Sequence, residues 1–284
     1  MLNVDVAVVG AGYTGAALVI ELAARLPRGA RIALIDPREE FGRGVAYGTP
    51  DLDHRLNVPA GRMSLFADDA DDFVRWLGEQ GDLDGWFGGG SLADAFAPRP
   101  VYGRYVAERL AAAEQGHGVT VLRVVDRAVD VTVTAHGYRL VLAETQPLQA
   151  ARLALCLGNA PCGLPVPPAA IARTVRDRIV LNPWAAPGIA EIDPDEDLLF
   201  VGTGLTMIDQ VVTLARRGHR GRLVAMSRRG LLPVAHSTPR PEPVEPEVPA
   251  GATLLELVRA LRRQAAAHVA AGGDWQAVFD GLRP

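Results

Sequence analysis

Val4-Asp5-Val6-Ala7-Val8-Val9-Gly10-Ala11-Gly12-Tyr13-Thr14-Gly15 opens the chain with an apolar run that ends in a GxGxxG spacing. The run predicts a buried parallel strand, and Ala16 to Leu26 continues as an amphipathic helix. Glycines at these three places permit a tight turn and close approach of the backbone to a pyrophosphate, which the helix N-terminus would hold. A second apolar strand, Arg31 to Ile35, ends in Asp36. An acid there can accept hydrogen bonds from both hydroxyls of an unphosphorylated ribose, as in FAD or NAD. Gly10, Gly12, Tyr13, Thr14, Gly15 and Asp36 are therefore candidate ligands of a dinucleotide. An isolated GxGxxG carries little weight. Here strand, glycines, helix, second strand and terminal acid follow in the order such a site needs, against the alternative of a glycine turn that only packs.

A second fingerprint, Gly202-Thr203-Gly204-Leu205-Thr206-Met207, follows the strand-like Leu198-Leu199-Phe200-Val201 and precedes a helix over Asp209 to Arg217. Met207 stands where the third glycine normally allows close packing of helix on strand, so this helix is expected slightly further off. The next strand, Arg222 to Met226, leads to Ser227, Arg228 and Arg229 with no acid. A hydroxyl and two guanidiniums suit a ribose 2′-phosphate, because arginine gives it bidentate hydrogen bonds where an aspartate would repel it. Gly202, Gly204, Leu205, Thr206, Ser227, Arg228 and Arg229 are thus candidates for binding NADPH, with NADH as the other possibility. The plainer alternative is that the two arginines are solvated loop charges.

The chain of 284 residues is 49% hydrophobic, enough for a sizeable core, and two α/β lobes are expected: 1–165 for FAD and 166–284 for NAD(P), the latter incomplete. A formal net charge of −4 gives no footprint for nucleic acid or an anionic membrane. The first strand starts at the third or fourth residue and no apolar run approaches the roughly 20 residues that span a bilayer, so a cytoplasmic location is expected. Cys156 and Cys162 do not form a CxxC pair, which favours packing over dithiol chemistry. All 29 basic residues are arginine, which excludes a Schiff-base lysine and a phosphate-loop lysine.

Between the fingerprints, residues 41–48 and 56–65 are glycine-punctuated loops, placed where ligands lie in open α/β sheets. Val101 to Ala113 is expected to be helical. Val119 to Val125, Val129 to Thr134 and Tyr138 to Ala143 predict a three-strand antiparallel meander, and Leu153 to Leu157 a returning strand that ends at Gly158. Asp68, Asp69, Asp71 and Asp72 crowd the start of a helix, where acids complement the dipole; with no His or Cys among them, no metal site is expected. His54 and His236, both in loops, are candidates for touching substrate or nicotinamide, or are surface histidines. Thr238 to Pro249 predicts an exposed loop, and Leu254 to Ala271 an amphipathic helix with Leu254, Leu257, Val258, Leu261 and Ala265 inward.

Several strings are long and specific: GAGYTG (10–15), FGRGVAYGTPDLDHRLNVPAGRMSLFADDADDFVRWL (41–77), YGRYVAERL (102–110), LCLGN (155–159), VGTGLTMIDQV (201–211) and SRRGLLPVAH (227–236). On these the chain resembles, from residue 3 to its end, the FAD/NAD(P)-binding protein family that includes urate-hydroxylating and aspartate N-hydroxylating flavin monooxygenases. The resemblance implies FAD on the first fingerprint, Gly158 closing over it, and Asn57, Arg62 and Met63 near the isoalloxazine ring as catalytic candidates. It further implies hydride transfer from NADPH to FAD and transfer of one oxygen atom of O₂ to a small-molecule substrate. Family members are usually longer, so the chain reads as a fragment, a shortened member, or one completed by a homo-oligomer or partner subunit. Two rivals stand beside a monooxygenase: an FAD-dependent NAD(P)H dehydrogenase or reductase, and a non-catalytic dinucleotide-binding module.

Overall fold

The computed structural model of the chain describes residues 2–83, 90–160, 163–184, 188–235 and 241–282. Two compact units emerge, one of Met1–Phe200 with Thr206–Ala225, the other of Val201–Leu205 with Met226–Pro284.

In the first unit, β1 (Leu2–Val9) leads into α1 (Tyr13–Arg25) and back to β2 (Arg31–Asp36), which pairs parallel to β1 with Val8 opposite Leu34. The apolar run of β1 is nearly unbroken because both faces are covered. Val6 and Val8 pack with Ala16, Val19, Ile20 and Ala23 of α1, while Val4, Ala7 and Val9 pack on the other face. Past the short α2 (Gly44–Tyr47), a 3₁₀ turn at Ala60–Arg62 and α3 (Asp72–Gly78), the chain enters α4 (Arg99–Gly116). Tyr102, Tyr105, Val106 and Leu110 of α4 join the core on the α1 side.

β3 (Thr120–Val125) follows α4, then β4 (Ala128–Thr134), β5 (Gly137–Leu142) and β6 (Leu148–Leu155). The sheet order is β3-β2-β1-β6-β5-β4. The expected meander of 119–143 is corrected here. β3 lies parallel to β2, with Arg31 opposite Thr120, and the antiparallel strands are β4, β5 and β6. A helical crossover returns a chain parallel to the strand it left, so α4 delivers β3 to the open edge of β2. Only Asp126 and Arg127 separate β3 from β4, although these strands end the order on opposite sides. The antiparallel strands therefore fold back over the sheet, and Leu140 and Leu142 join Ala33 and Ile35 in one cluster. β6 stops at Leu155, short of the expected Leu157, and its pairing with β1 is parallel, Val8 opposite Ala154.

The same unit continues through α5 (Arg173–Arg176) and through all but the boundary residues of β7 (Leu198–Val201), α6 (Leu205–Arg216) and β8 (Leu223–Met226). Leu198 N–H donates to Arg222 O and Gly202 N–H to Met226 O, four residues on along each strand and in the same sense, as in a parallel pair.

The second unit holds α7 (Leu254–Ala270) and α8 (Trp275–Asp280). Thr253 and Glu256 form a capping box at the start of α7, satisfying two orphan N–H groups reciprocally. Residues buried on α7 are Ala260, Leu261 and Ala265. Leu254, expected inward, is 77% exposed because it lies in the first turn, ahead of the stripe that packs, and Val258 is exposed too. Among the described residues no helix is long and apolar enough to cross a membrane.

Candidate dinucleotide-binding site

The first glycine loop joins the carboxyl end of β1 to α1, between β2 and β6. Gly10 has φ +101°, open to glycine and strained for other residues, and its N–H donates to Ile35 O at 2.7 Å. A Cβ on Gly10 would overlap the carbonyl oxygen of Cys156, and one on Gly15 the carbonyl oxygen of Gly10. Gly12 is the N-cap of α1 and offers no side-chain cap, which leaves the N–H groups of the first turn for an anion. Gly42 and Gly44 close the loop from the other side. Gly42 N–H donates to Ala11 O at 2.8 Å, and a Cβ on Gly44 would come within 3.0 Å of Gly12 Cα. Tyr13 heads α1 against Tyr47 and Tyr102, ring centroids 6.0 and 6.1 Å away, with Thr14 exposed beside it.

Asp36 ends β2 as expected, only 6% exposed, and its carboxylate is already engaged. Oδ2 accepts Ala11 N–H at 2.9 Å, while Oδ1 accepts the N–H and Nε–H of Arg38, both at 3.0 Å. Burial pushes this carboxyl up, but the Arg38 guanidinium and the two backbone N–H groups outweigh it and hold Asp36 below its ordinary value. A carboxylate held low in the folded state contributes stability above the unfolded value of 3.8 and loses it as pH falls through the folded value. Asp36→Asn is therefore expected to be the less stable protein at neutral pH, with the gap closing as pH drops below about 4. Urea midpoints across that range check it; a constant gap would contradict the assignment. Arg38 escaped the sequence reading, yet an arginine two residues past such an acid is the place to look for its partner.

The second loop repeats one element of the first. Gly202 has φ +118° and donates to Met226 O at 2.8 Å, as Gly10 does to Ile35 O. The tight packing is not repeated, since a Cβ on Gly202 or Gly204 would meet nothing within 4 Å. Leu205 and Thr206 begin α6, and Met207 is buried. Ser227 Oγ accepts Gly230 N–H at 3.1 Å, closing a turn that carries the exposed Arg228 and Arg229.

Asn57 is exposed and its Oδ1 accepts Arg99 Nη2–H at 3.0 Å. Arg62 ends the 3₁₀ turn, and Met63 N–H donates to Ala60 O while its side chain packs against the α1-side core. Gly158 has φ +72° with open space where a Cβ would point.

His54 is no surface histidine: it is 4% exposed. Its Nδ1 pairs with Thr49 Oγ1 at 2.7 Å, its Nε2 with Thr213 Oγ1 at 2.8 Å and Asp209 O at 3.2 Å, and Trp184 packs edge-on. With both ring nitrogens used by protein, it ties residues 49–54 to α6. Burial raises the nearby Asp209 carboxyl above its ordinary value, against the opposing pull of Arg99. Burial likewise raises the Cys156 thiol, which disfavours the thiolate. His236 and Cys162 lie outside the described residues.

Two of the four acids at 68–72 have structural work. Asp69 pairs with Arg75, and Asp72 takes the Tyr105 hydroxyl and two N–H groups of Arg109. Among the described residues no group of His, Cys, Asp or Glu is arranged to hold a metal ion.

A family model described as FAD-NAD(P)-binding matches residues 7–160, more than half of the chain. The chain belongs to the FAD-NAD(P)-binding family. No curated protein matches it. Among solved structures, the open form of cyclohexanone monooxygenase is similar at 14% identity, TM-score 0.51, over 93% of this chain and 46% of that one. The bacillithiol disulfide reductase of Staphylococcus aureus shares 12% identity over 96% and 66% of the two chains, TM-score 0.49. A flavin-containing monooxygenase from Stenotrophomonas maltophilia shares 21% over 55% and 38%, TM-score 0.36. At these identities the similarity to cyclohexanone monooxygenase is one of fold, and this chain spans less than half the length of either monooxygenase.

Proposed function

We propose that the chain is an FAD-dependent oxidoreductase that takes reducing equivalents from NADPH and acts as a monooxygenase on a small molecule. The observation that carries this reading is the first glycine loop, where Gly10, Gly12 and Gly15 leave an uncapped helix N-terminus beside an acid bonded to Ala11 N–H. In this division of labour 1–165 binds FAD and 166–284 binds NADPH. The first-turn N–H groups of α1 would hold the FAD pyrophosphate, with Tyr13 and Thr14 flanking it and Gly158 near the cofactor. Asp36 would accept the ribose hydroxyls once the half-exposed Arg38 side chain swings aside. Gly202, Gly204, Leu205 and Thr206 would hold the second pyrophosphate, and Ser227, Arg228 and Arg229 the 2′-phosphate. Asn57, Arg62 and Met63 would line the flavin side, with Asn57 as the exposed hydrogen-bonding group. Bound FAD supplies the redox chemistry, accepting a hydride and reducing O₂, so the chain's own task is to orient and to exclude water. Exposed Leu199 and Val224 suit cover by a second copy or a partner subunit.

The visible absorption spectrum of the purified chain, followed by NADPH without oxygen, tests the proposal. A two-band flavin spectrum that NADPH bleaches is the expected result. A colourless chain that FAD cannot reconstitute would leave a non-catalytic module, and bleaching without substrate oxygenation on admitting O₂ would leave a plain reductase.

A further inference from the structure

The segment from His54 to Asn57 has no helix or strand of its own beyond one isolated bridge, and one residue, Arg99, bonds it at three points. Arg99, the first residue of α4, donates its backbone N–H to His54 O at 2.7 Å, its Nε–H to Arg55 O at 2.9 Å and its Nη2–H to Asn57 Oδ1 at 3.0 Å. Leu56 N–H answers by donating to Ala97 O at 2.9 Å, so the two stretches lie paired. The guanidinium also faces Asp209 of α6 at 3.6 Å. That carboxylate's Oδ2 is shut off from solvent with no hydrogen-bond partner, so Arg99 supplies its charge compensation. Thr213 and Arg216, on the same face of α6, bond the Asp51 carboxylate at 2.8 and 2.9 Å, anchoring the preceding residues as well.

One chemical consequence follows for Asn57. A carboxamide can turn over, exchanging an acceptor oxygen for a donor nitrogen at nearly the same position. Arg99 offers only N–H groups, so it accepts no partner but the oxygen and leaves the Asn57 NH₂ directed elsewhere. We propose that Arg99 is a positioning residue that locks the Asn57 carboxamide with its NH₂ outward, as a fixed hydrogen-bond donor to an acceptor atom of the flavin ring. This rests on the reading that Asn57 lines the flavin side.

The test uses the full chain titrated with FAD, followed by flavin fluorescence and by the visible spectrum of the bound cofactor. Asn57→Ala and Arg99→Met are each expected to weaken FAD binding about fivefold, the equivalent of one hydrogen bond, and to shift the bound spectrum alike. The double variant should be no weaker than about fivefold, because both changes remove one donor, whereas independent effects would multiply to about 25-fold. A multiplicative double variant, or a wild-type spectrum and affinity in Arg99→Met while Asn57→Ala differs, overturns the proposal and leaves the reading of Asn57 standing. If Asn57→Ala itself binds FAD with wild-type affinity and spectrum, that reading fails, and the proposal with it. Should Arg99→Met not fold, Arg99→Gln decides. A glutamine carboxamide both donates and accepts, so it no longer dictates which way the Asn57 carboxamide lies; the spectral shift must remain, and a wild-type spectrum counts against Arg99.

Discussion

Gly15→Ala is expected to lose affinity for the proposed cofactor, FAD, by about a hundredfold while the chain still folds, since drawing the first-turn N–H groups away loses two charge-assisted hydrogen bonds to the pyrophosphate at about 1.5 kcal/mol each. The added methyl would overlap the carbonyl oxygen of Gly10 and press on its carbon at 3.0 Å. Both belong to the backbone of the glycine loop, so no side chain can rotate out of the way. α1 must then move back from β1, carrying the N–H groups of its first turn with it. Overpacking of this kind costs roughly 1–3 kcal/mol of stability, within the tolerance of a domain of this size. Gly116→Ala is the control. It closes α4, has ordinary φ and nothing within 4 Å of a new Cβ, so it should match or slightly exceed wild type. Isothermal titration with FAD and thermal unfolding of both variants check the pair; full affinity in Gly15→Ala would remove the loop from the binding site.

The largest loss of stability is expected at Asp72. This carboxylate is 8% exposed and is the common acceptor for the Tyr105 hydroxyl at 2.6 Å and for Arg109 Nε and Nη2, both at 2.9 Å. Burial and this bond push the Tyr105 hydroxyl up to about 12, so it stays a donor at any working pH. Asp72→Ala leaves the Tyr105 hydroxyl accepting Leu65 N–H but takes away the acceptor of its own proton, and it removes the counter-charge of a guanidinium that faces solvent only in part. Removing one partner of a buried pair costs roughly 3–5 kcal/mol, and partial rehydration of Arg109 brings the figure to about 2–4 kcal/mol. That corresponds to a fall in Tm of roughly 5–15 °C. Asp72→Asn, which keeps one acceptor, should fall between. Melting followed by circular dichroism measures both, and an unchanged Tm in Asp72→Ala would show that the network is solvated.

The strands and glycine loop of the first fingerprint were legible because several weak signals coincide there. An unbroken apolar run, three glycines, an amphipathic helix and a terminal acid each have one natural place in a β-α-β unit. Pairing partners were less legible. Residues 120–125 read as a strand whichever neighbour they take, and only the crossover through α4 shows that the neighbour is β2. Buried polar residues were the least legible. His54, Asp209 and Thr213 look like surface residues in a linear string, and their burial depends on partners more than 150 residues away in the chain. The same holds for Arg99 and Asn57, whose bond joins two stretches with no periodicity to connect them. Arg228 and Arg229, by contrast, stand exposed on a turn, where a sequence alone would put them.

Gly10 abuts the carbonyl of Cys156, and Cys156 N–H bonds Val9 O. The wall behind the first glycine loop is thus supplied by the residue just past β6, the last strand of the six-stranded sheet in chain order. A ribosome that has made α1 and β2 has made every candidate ligand in the glycine loop but not the surface that shapes it. Contacts this distant in sequence form late. Cofactor loading should therefore follow release of β6 from the exit tunnel, and cofactor scarcity would act on a chain whose sheet is already closed.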